Sequence, residues 1–221
     1  MKKLITLLLL IITFAGTVKA QETFTAETSI GVRAGANFST FSFEPTIEQK
    51  MMVGYTGGIA LKHFAHPKLG FQMELNLVQR GWTEELSADT SSYTRTLNYL
   101  ELPFMTQAAF GSDKTKFLIN LGPNVSYLLS EKKTAQPDLE DKDLGYYREK
   151  IEYPVMVGLS VGLGMLKNTP LGNFQVEARF TQNLTNAFKS EQTNAASRNQ
   201  SLAVTASYFL PLKRKEKTTA E

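Results

Sequence analysis

Six charged side chains sit within segments that otherwise alternate apolar with small polar residues: Arg33, Glu74, Arg80, Glu101, Glu177 and Arg179. Glu74 and Glu101 fall on successive candidate strands and could form a general acid/base pair, in which a positioned carboxyl moves a proton. Their company points elsewhere. Three glutamates stand against three arginines, and structural ion pairs perturb titration as active sites do. A charge-balanced network is the better reading. Other constellations are weaker still. His63 and His66, the chain's two histidines, flank a turn with no third ligand nearby, so no metal site is expected. Gly158, Gly162 and Gly164 lack the lysine, hydroxyl and following helix of a phosphate loop; small residues on one strand face explain them better. A Ser-His-Asp set cannot be assembled from two histidines at one turn. The chain has no cysteine, which removes disulfides, thiolate metal sites and cysteine nucleophiles. No catalytic residue, metal or cofactor is expected.

These charges must be positioned by β-strands. In Leu69 to Trp82, Phe71, Met73, Leu75 and Leu77 alternate with Gln72, Glu74 and Asn76, a period of two that gives one apolar and one polar face. Seven further segments alternate in the same way: Ser29 to Ser39, Met52 to Phe64, Thr96 to Phe110, Lys116 to Leu129, Tyr153 to Leu166, Asn173 to Thr185 and Ser201 to Leu210. No segment of comparable length has a helical period. Pro103 interrupts the fourth and predicts a bulge, because proline cannot donate to a ladder. Three connectors are tight, around His66, Gly111 to Lys114 and Asn168 to Gly172. Four are long and polar: Thr40 to Met51, Thr83 to Arg95, Ser130 to Glu152 and Asn186 to Gln200. Short turns at one end and long loops at the other is the layout of outer-membrane barrels.

The flanks carry different signals. Lys2 and Lys3 precede an apolar run from Leu4 to Ile12, and Val18-Lys19-Ala20 suits signal-peptidase cleavage. Residues 1–20 are therefore read as a cleaved signal peptide, 21–28 as a lead-in, 29–212 as the barrel and 213–221 as a charged, disordered tail. A net charge of +3 gives no nucleic-acid footprint.

Alternation alone does not say which face is enclosed. Three features favour lipid outside. Lysine is scarce on the mid-strand polar faces, with Lys62 and Lys116 near strand ends. The mid-strand charges are balanced in sign, as a lumen just wide enough for its own side chains requires. Aromatic residues fall near strand ends, namely Tyr55, Phe64, Trp82, Phe110, Tyr127, Tyr153, Phe188 and Tyr208, and are expected to form the girdles that membrane barrels place at both interfaces.

With these segments in view, the chain resembles the PorT-like outer-membrane β-barrel family of Gram-negative bacteria. The matching pieces are GVRAGANFS (Gly31 to Ser39), GFQMELNLVQRGW (Gly70 to Trp82), NYLELPFM (Asn98 to Met105), FLINLGPNVSYLLS (Phe117 to Ser130) and the seventh strand running into NLTN (Asn183 to Asn186). The Tyr-Leu-Glu-Leu-Pro stretch is the most specific. The resemblance implies an eight-stranded barrel in the cell outer membrane, mostly without assigned activity; the founding member is associated with protein secretion. Membrane barrels usually finish on an aromatic residue that assists assembly. Here Tyr208, Phe209 and Leu210 are followed by further residues to Glu221, so that signal is internal.

The expectation is an all-β, eight-stranded, antiparallel, up-and-down transmembrane β-barrel that is not an enzyme. Its expected partners are outer-membrane lipid, barrel-assembly and secretion machinery, and an extracellular or envelope partner at the long loops. Two other readings remain open: a narrow porin-like channel, and a soluble periplasmic barrel binding an apolar ligand.

Overall fold

The structure is a computed structural model that describes residues 25–43, 49–85, 92–136, 151, 153–187 and 197–212. The signal peptide, residues 21–24 of the lead-in, the tail and Phe188 lie outside the described residues. Eight strands follow in chain order: β1 (Glu27–Phe43), β2 (Gln49–His66), β3 (Leu69–Glu85), β4 (Ser92–Gly111), β5 (Thr115–Gln136), β6 (Val155–Thr169), β7 (Gly172–Asn183) and β8 (Ser197–Leu212). Each pairs antiparallel with its neighbour, and β1 pairs with β8, so the sheet closes into a barrel. Closure removes the unpaired edges that an open sheet would present.

The period-two pattern sorts residues by face. Along β3, Gln72, Glu74, Asn76, Val78 and Arg80 are buried, while Met73, Leu75 and Leu77 face outward. Along β6, Val157, Leu159, Val161 and Leu163 face outward; Leu163 is 64% exposed while Ser160 is 2% exposed. The inside is thus the polar face. An unbroken apolar exterior on this scale cannot stay in water and marks a membrane-embedded surface, which rules out the soluble barrel.

Several strands outrun their sequence-predicted ends. β1 continues to Phe43, β4 begins at Ser92 and β5 reaches Gln136, so residues 40–43, 49–51, 83–85, 92–95 and 130–136 of the expected loops Thr40 to Met51, Thr83 to Arg95 and Ser130 to Glu152 are strand. Residues 83–85 and 92–95 belong to one hairpin, 40–43 pair with β8, 49–51 with β3 and 130–136 with β4. Their polar side chains hid this, because above the apolar belt both faces are polar. β6 starts two residues late, at Val155, since Pro154 has no N–H to donate; its carbonyl instead accepts from Leu128 N–H at 2.7 Å.

Pro103 does not make the expected bulge. It faces Asn124 in β5, and the register is unbroken from Tyr99 to Thr106. Proline drops its ladder bond without displacing its neighbours. The bulge of this hairpin lies at Asn98/Tyr99 instead. A second irregularity, between Met51 and Thr56, frees part of β3 from β2. Side chains of β1 fill the gap: Asn37 donates to the Gln79 carbonyl at 2.8 Å, and Ser39 Oγ accepts from Gly81 N–H at 2.9 Å. Buried backbone groups need such partners. Two tight turns at the opposite end carry glycine at positive φ, Gly111 at 119° and Gly172 at 140°, where other residues are strained.

Candidate functional site: a layered lumen

The six charged residues meet in the barrel's middle, in two groups. In the larger, Glu74 is gripped by two guanidiniums. Arg179 donates to it bidentately, Nη2 to Oε1 at 2.6 Å and Nη1 to Oε2 at 2.9 Å, and Arg33 Nη1 pairs with Oε2. Arg179 also donates through Nε to Glu177 Oε1 at 2.8 Å. Arg33 Nη2 donates to Thr205 at 2.9 Å. Gln72 and Asn76, two residues either side of Glu74, donate to its remaining lone pairs at 2.5 and 2.8 Å. In the smaller group Arg80 pairs with Glu101, which also accepts from Asn124 at 3.1 Å and Ser126 at 3.0 Å.

Register explains why these residues meet. Asn76 lies beside Glu101 and Glu101 beside Ser126, so successive strands hand polar groups to one another. Bulky charges on β1 and β7 are flanked by small residues: Arg33 lies beside Gly58 and Ser207, Glu177 beside Gly164, and Arg179 beside Gly162 and Ala203. The β6 glycines therefore serve space. A Cβ on Gly162 would stand 2.6 Å from Glu177 Oε1. Glu74 and Glu101 fall in different groups, each carboxylate held by arginine. That arrangement suits ion-pair packing, whereas a general base needs a carboxylate open to a proton donor.

Above this layer, at the loop end, stands an aromatic plug. Phe41, Trp82, Tyr93, Leu97, Tyr99 and Met156 form a buried cluster. The Trp82 ring lies 4.7 Å from Phe41 and 5.1 Å from Phe43, and its Nε1 donates to Glu84 at 2.5 Å. Arg95 lies 5.6 Å from the Trp82 ring and pairs with Glu131 at 2.6 Å. Outward neighbours of Tyr93 on β4 are the polar Thr94 and Thr96, so Tyr93 sits outside the membrane-spanning part; burial pushes its hydroxyl up to about 12.

The expected aromatic girdle needs correction. Tyr55, Phe110, Tyr127 and Tyr153 are exposed on the outer face, and Tyr208 is half-buried there. Phe64 and Trp82 are 3% and 0% exposed and point inward. Both share parity with the polar face of their strand, Phe64 with Lys62 and Trp82 with Arg80, and parity outweighs nearness to a strand end. Position near a strand end suggests a girdle; the shared face decides against it. Glu84, Arg95 and Glu131, assigned to loops from the sequence, are lumen charges for the same reason. Of the histidines, His63 shares a 2.8 Å hydrogen bond with Thr28, and His66 accepts from Lys68 N–H at 3.3 Å. Among the described residues no three His, Cys, Asp or Glu side chains gather as a metal site would require.

Among the described residues the middle of the lumen is packed with side chains. Between the two ion-paired groups remains a cavity of about 10 Å³, room for about one water. A family model for the outer membrane protein beta-barrel domain matches residues 19–189. The chain belongs to this family. That membership agrees with the apolar exterior and assigns the barrel to the outer membrane. Solved structures similar to this outer-membrane barrel include Neisserial surface protein A (NspA), at 11% identity and TM-score 0.46 over 84% of this chain and 99% of that one. Another is Ail, the attachment invasion locus protein of Yersinia pestis, at 11% identity and TM-score 0.44 over 85% and 100%. A third is OprG from Pseudomonas aeruginosa, at 12% identity and TM-score 0.46 over 82% and 95%. No protein of curated function matches the chain.

Proposed function

We propose that the protein is a non-enzymatic, structural or interaction barrel that conducts nothing and presents its loop end to a partner outside the cell or in the envelope. The observation that carries this reading is the packed middle of the lumen. An arginine-glutamate layer and an aromatic plug lie in series along the axis, and the interior cavity between the charged groups is about 10 Å³. A porin-like channel needs a continuous aqueous path, and two stacked layers of packed side chains argue against one. Every carboxylate of the middle layer is held by arginine, which argues against acid/base catalysis.

In this reading the tight turns lie in the periplasm and the long connections outside, as outer-membrane barrels arrange them. Residues 1–20 direct export and are removed, and residues 213–221 form a tail in the periplasm. The Tyr-Leu-Glu-Leu-Pro stretch, Tyr99 to Pro103, supports placement in the PorT-like group. Barrel-assembly machinery inserts the chain, outer-membrane lipid surrounds it, and secretion machinery is a candidate partner at the envelope.

The test has two arms. In planar bilayers the refolded barrel should show no stepwise conductance; discrete channel openings would overturn the reading. The barrel, used as bait against envelope and surface fractions, should capture a partner that is lost when residues 137–150 are replaced by a Gly/Ser linker of equal length. Capture indifferent to that replacement would remove those residues from the function.

A further inference from the structure

At the turn end of the lumen two lysines point inward without a carboxylate in direct contact; Gln175, which Lys62 meets, in turn donates to Glu177 at 3.1 Å. Lys62 of β2 is 2% exposed and Lys116 of β5 is 7% exposed. The Lys62 ammonium donates to Gln175 Oε1 and lies 4.0 Å from the centroid of the Phe209 ring. Lys116 Nζ lies 5.1 Å from the centroid of the Phe64 ring. Among the described residues neither lysine has a carboxylate within salt-bridge distance, although eight other buried or half-buried cations and anions of this lumen pair closely. Both lysines line one cavity of about 10 Å³, whose rim also carries Thr28, Ser29, Asn168 and the exposed carboxylate of Glu27.

Two like charges held in one enclosed space repel each other, and burying an ammonium without a counter-ion is costly. An aromatic face returns only part of that cost, because its quadrupole attracts a cation weakly compared with an anion. Glu27 makes no ion pair with either lysine, so the rim does not neutralise them. Elsewhere in this lumen arginine and glutamate settle the same problem by pairing; here two ammoniums share one cavity, with hydroxyl and amide groups at its edge. That is the donor set of an anion site: two cations to supply charge and the Ser29 hydroxyl to hydrogen-bond a second oxygen, while Thr28 Oγ1 is engaged by His63 and Asn168 Nδ2 by the Asp113 carbonyl.

We propose that the turn-end mouth of the barrel binds a small oxyanion of the phosphate class, with one oxygen seated between Lys62 and Lys116. The cavity holds about one oxygen-sized atom, so the rest of the anion stays at the rim. Free phosphate and the phosphate of a lipid headgroup share this chemistry. A free ion enters along the axis, whereas a lipid must reach over the strand ends.

The experiment uses the full mature barrel refolded in zwitterionic detergent with an anion-poor buffer. Inorganic phosphate is titrated while backbone amide shifts of Ser29, Lys62 and Lys116 are followed by NMR. A saturable shift is expected in the wild type. Lys116→Gln should weaken the midpoint at least tenfold, whereas Lys167→Gln, an exposed lysine on the outer face, should leave it unchanged. Lys62→Gln should act like Lys116→Gln; if it does not refold, the Lys116 variant decides. Repeating the titration with short-chain phosphatidylglycerol distinguishes the sources: competition with phosphate for the same shifts indicates that a headgroup can reach the site, and its absence restricts the site to free ions. A linear, non-saturating response, or a midpoint unmoved by Lys116→Gln, would overturn the proposal.

Discussion

Replacing Glu74 by glutamine changes one atom and removes the charge on which two guanidiniums converge. In the wild type Glu74 accepts from Arg179 at 2.6 and 2.9 Å, from Gln72 at 2.5 Å and from Asn76 at 2.8 Å, and pairs with Arg33. Each charge contact has a gross attraction of about 4 kcal/mol at an effective dielectric near 20. The net loss is smaller than the sum, because the folded protein has already borne the desolvation. In the variant two arginines share Glu177, and the new amide points N–H groups at donors. Breaking a buried pair by removing one partner costs about 3–5 kcal/mol, and Glu74→Gln should fall in that range. Urea unfolding in lipid vesicles, followed by Trp82 fluorescence, measures it. Trp82 is the only tryptophan and lies in the plug, so its emission reports opening of the lumen. Adding Arg33→Met should recover part of the loss by restoring the balance of charge, which a double-mutant cycle detects. A loss below about 1 kcal/mol for Glu74→Gln, in line with an exposed ion pair, would refute the enclosed network.

Other perturbations probe other layers. Leu75→Arg or Val157→Arg places a charge on the outer face and should cost about 2–4 kcal/mol near the bilayer midplane, read by the same unfolding assay; wild-type stability in both would contradict a lipid-facing surface. Gly162→Ala puts a methyl 2.6 Å from Glu177 Oε1 and should cost about 1–3 kcal/mol as an overpacked lumen, whereas Ala206→Gly, on the outer face, should leave the ion pairs intact. Burial favours the neutral phenol of Tyr93, so the difference between wild type and Tyr93→Phe in absorbance at 295 nm should titrate near 12; a midpoint near 10, the ordinary tyrosine value, would place Tyr93 in water.

The barrel was legible in the sequence because period two is a backbone property and each strand keeps it through the membrane. The identity of the mid-lumen charges was legible for the same reason: Glu74, Glu101 and Glu177 each interrupt a polar face at a position of fixed parity. Their partners were not. That Arg179 reaches across to Glu74, and that Arg80 takes Glu101, depends on register and on which strands face each other after closure, and neither is written in a single strand. Strand ends above the apolar belt were hidden, because polar residues on both faces look like loop, which concealed Arg95 and Glu131. Trp82 and Phe64 could have been placed inside by counting parity from Arg80 and Lys62. Aromatic residues near strand ends invite a girdle reading, and only the face they share with charged neighbours separates girdle from plug.

The orientation of the sheet is tested most directly without any mutation, by recording nuclear Overhauser contacts between detergent acyl chains and the methyl groups of the folded barrel. Val157, Leu159, Val161 and Leu163 face outward, whereas Leu97, Leu118 and Leu166 are at most 3% exposed and face the lumen. Acyl-chain contacts are expected to the first four and to none of the last three. Contacts to Leu97, Leu118 and Leu166 with none to the β6 methyls would mean that the barrel is inside out.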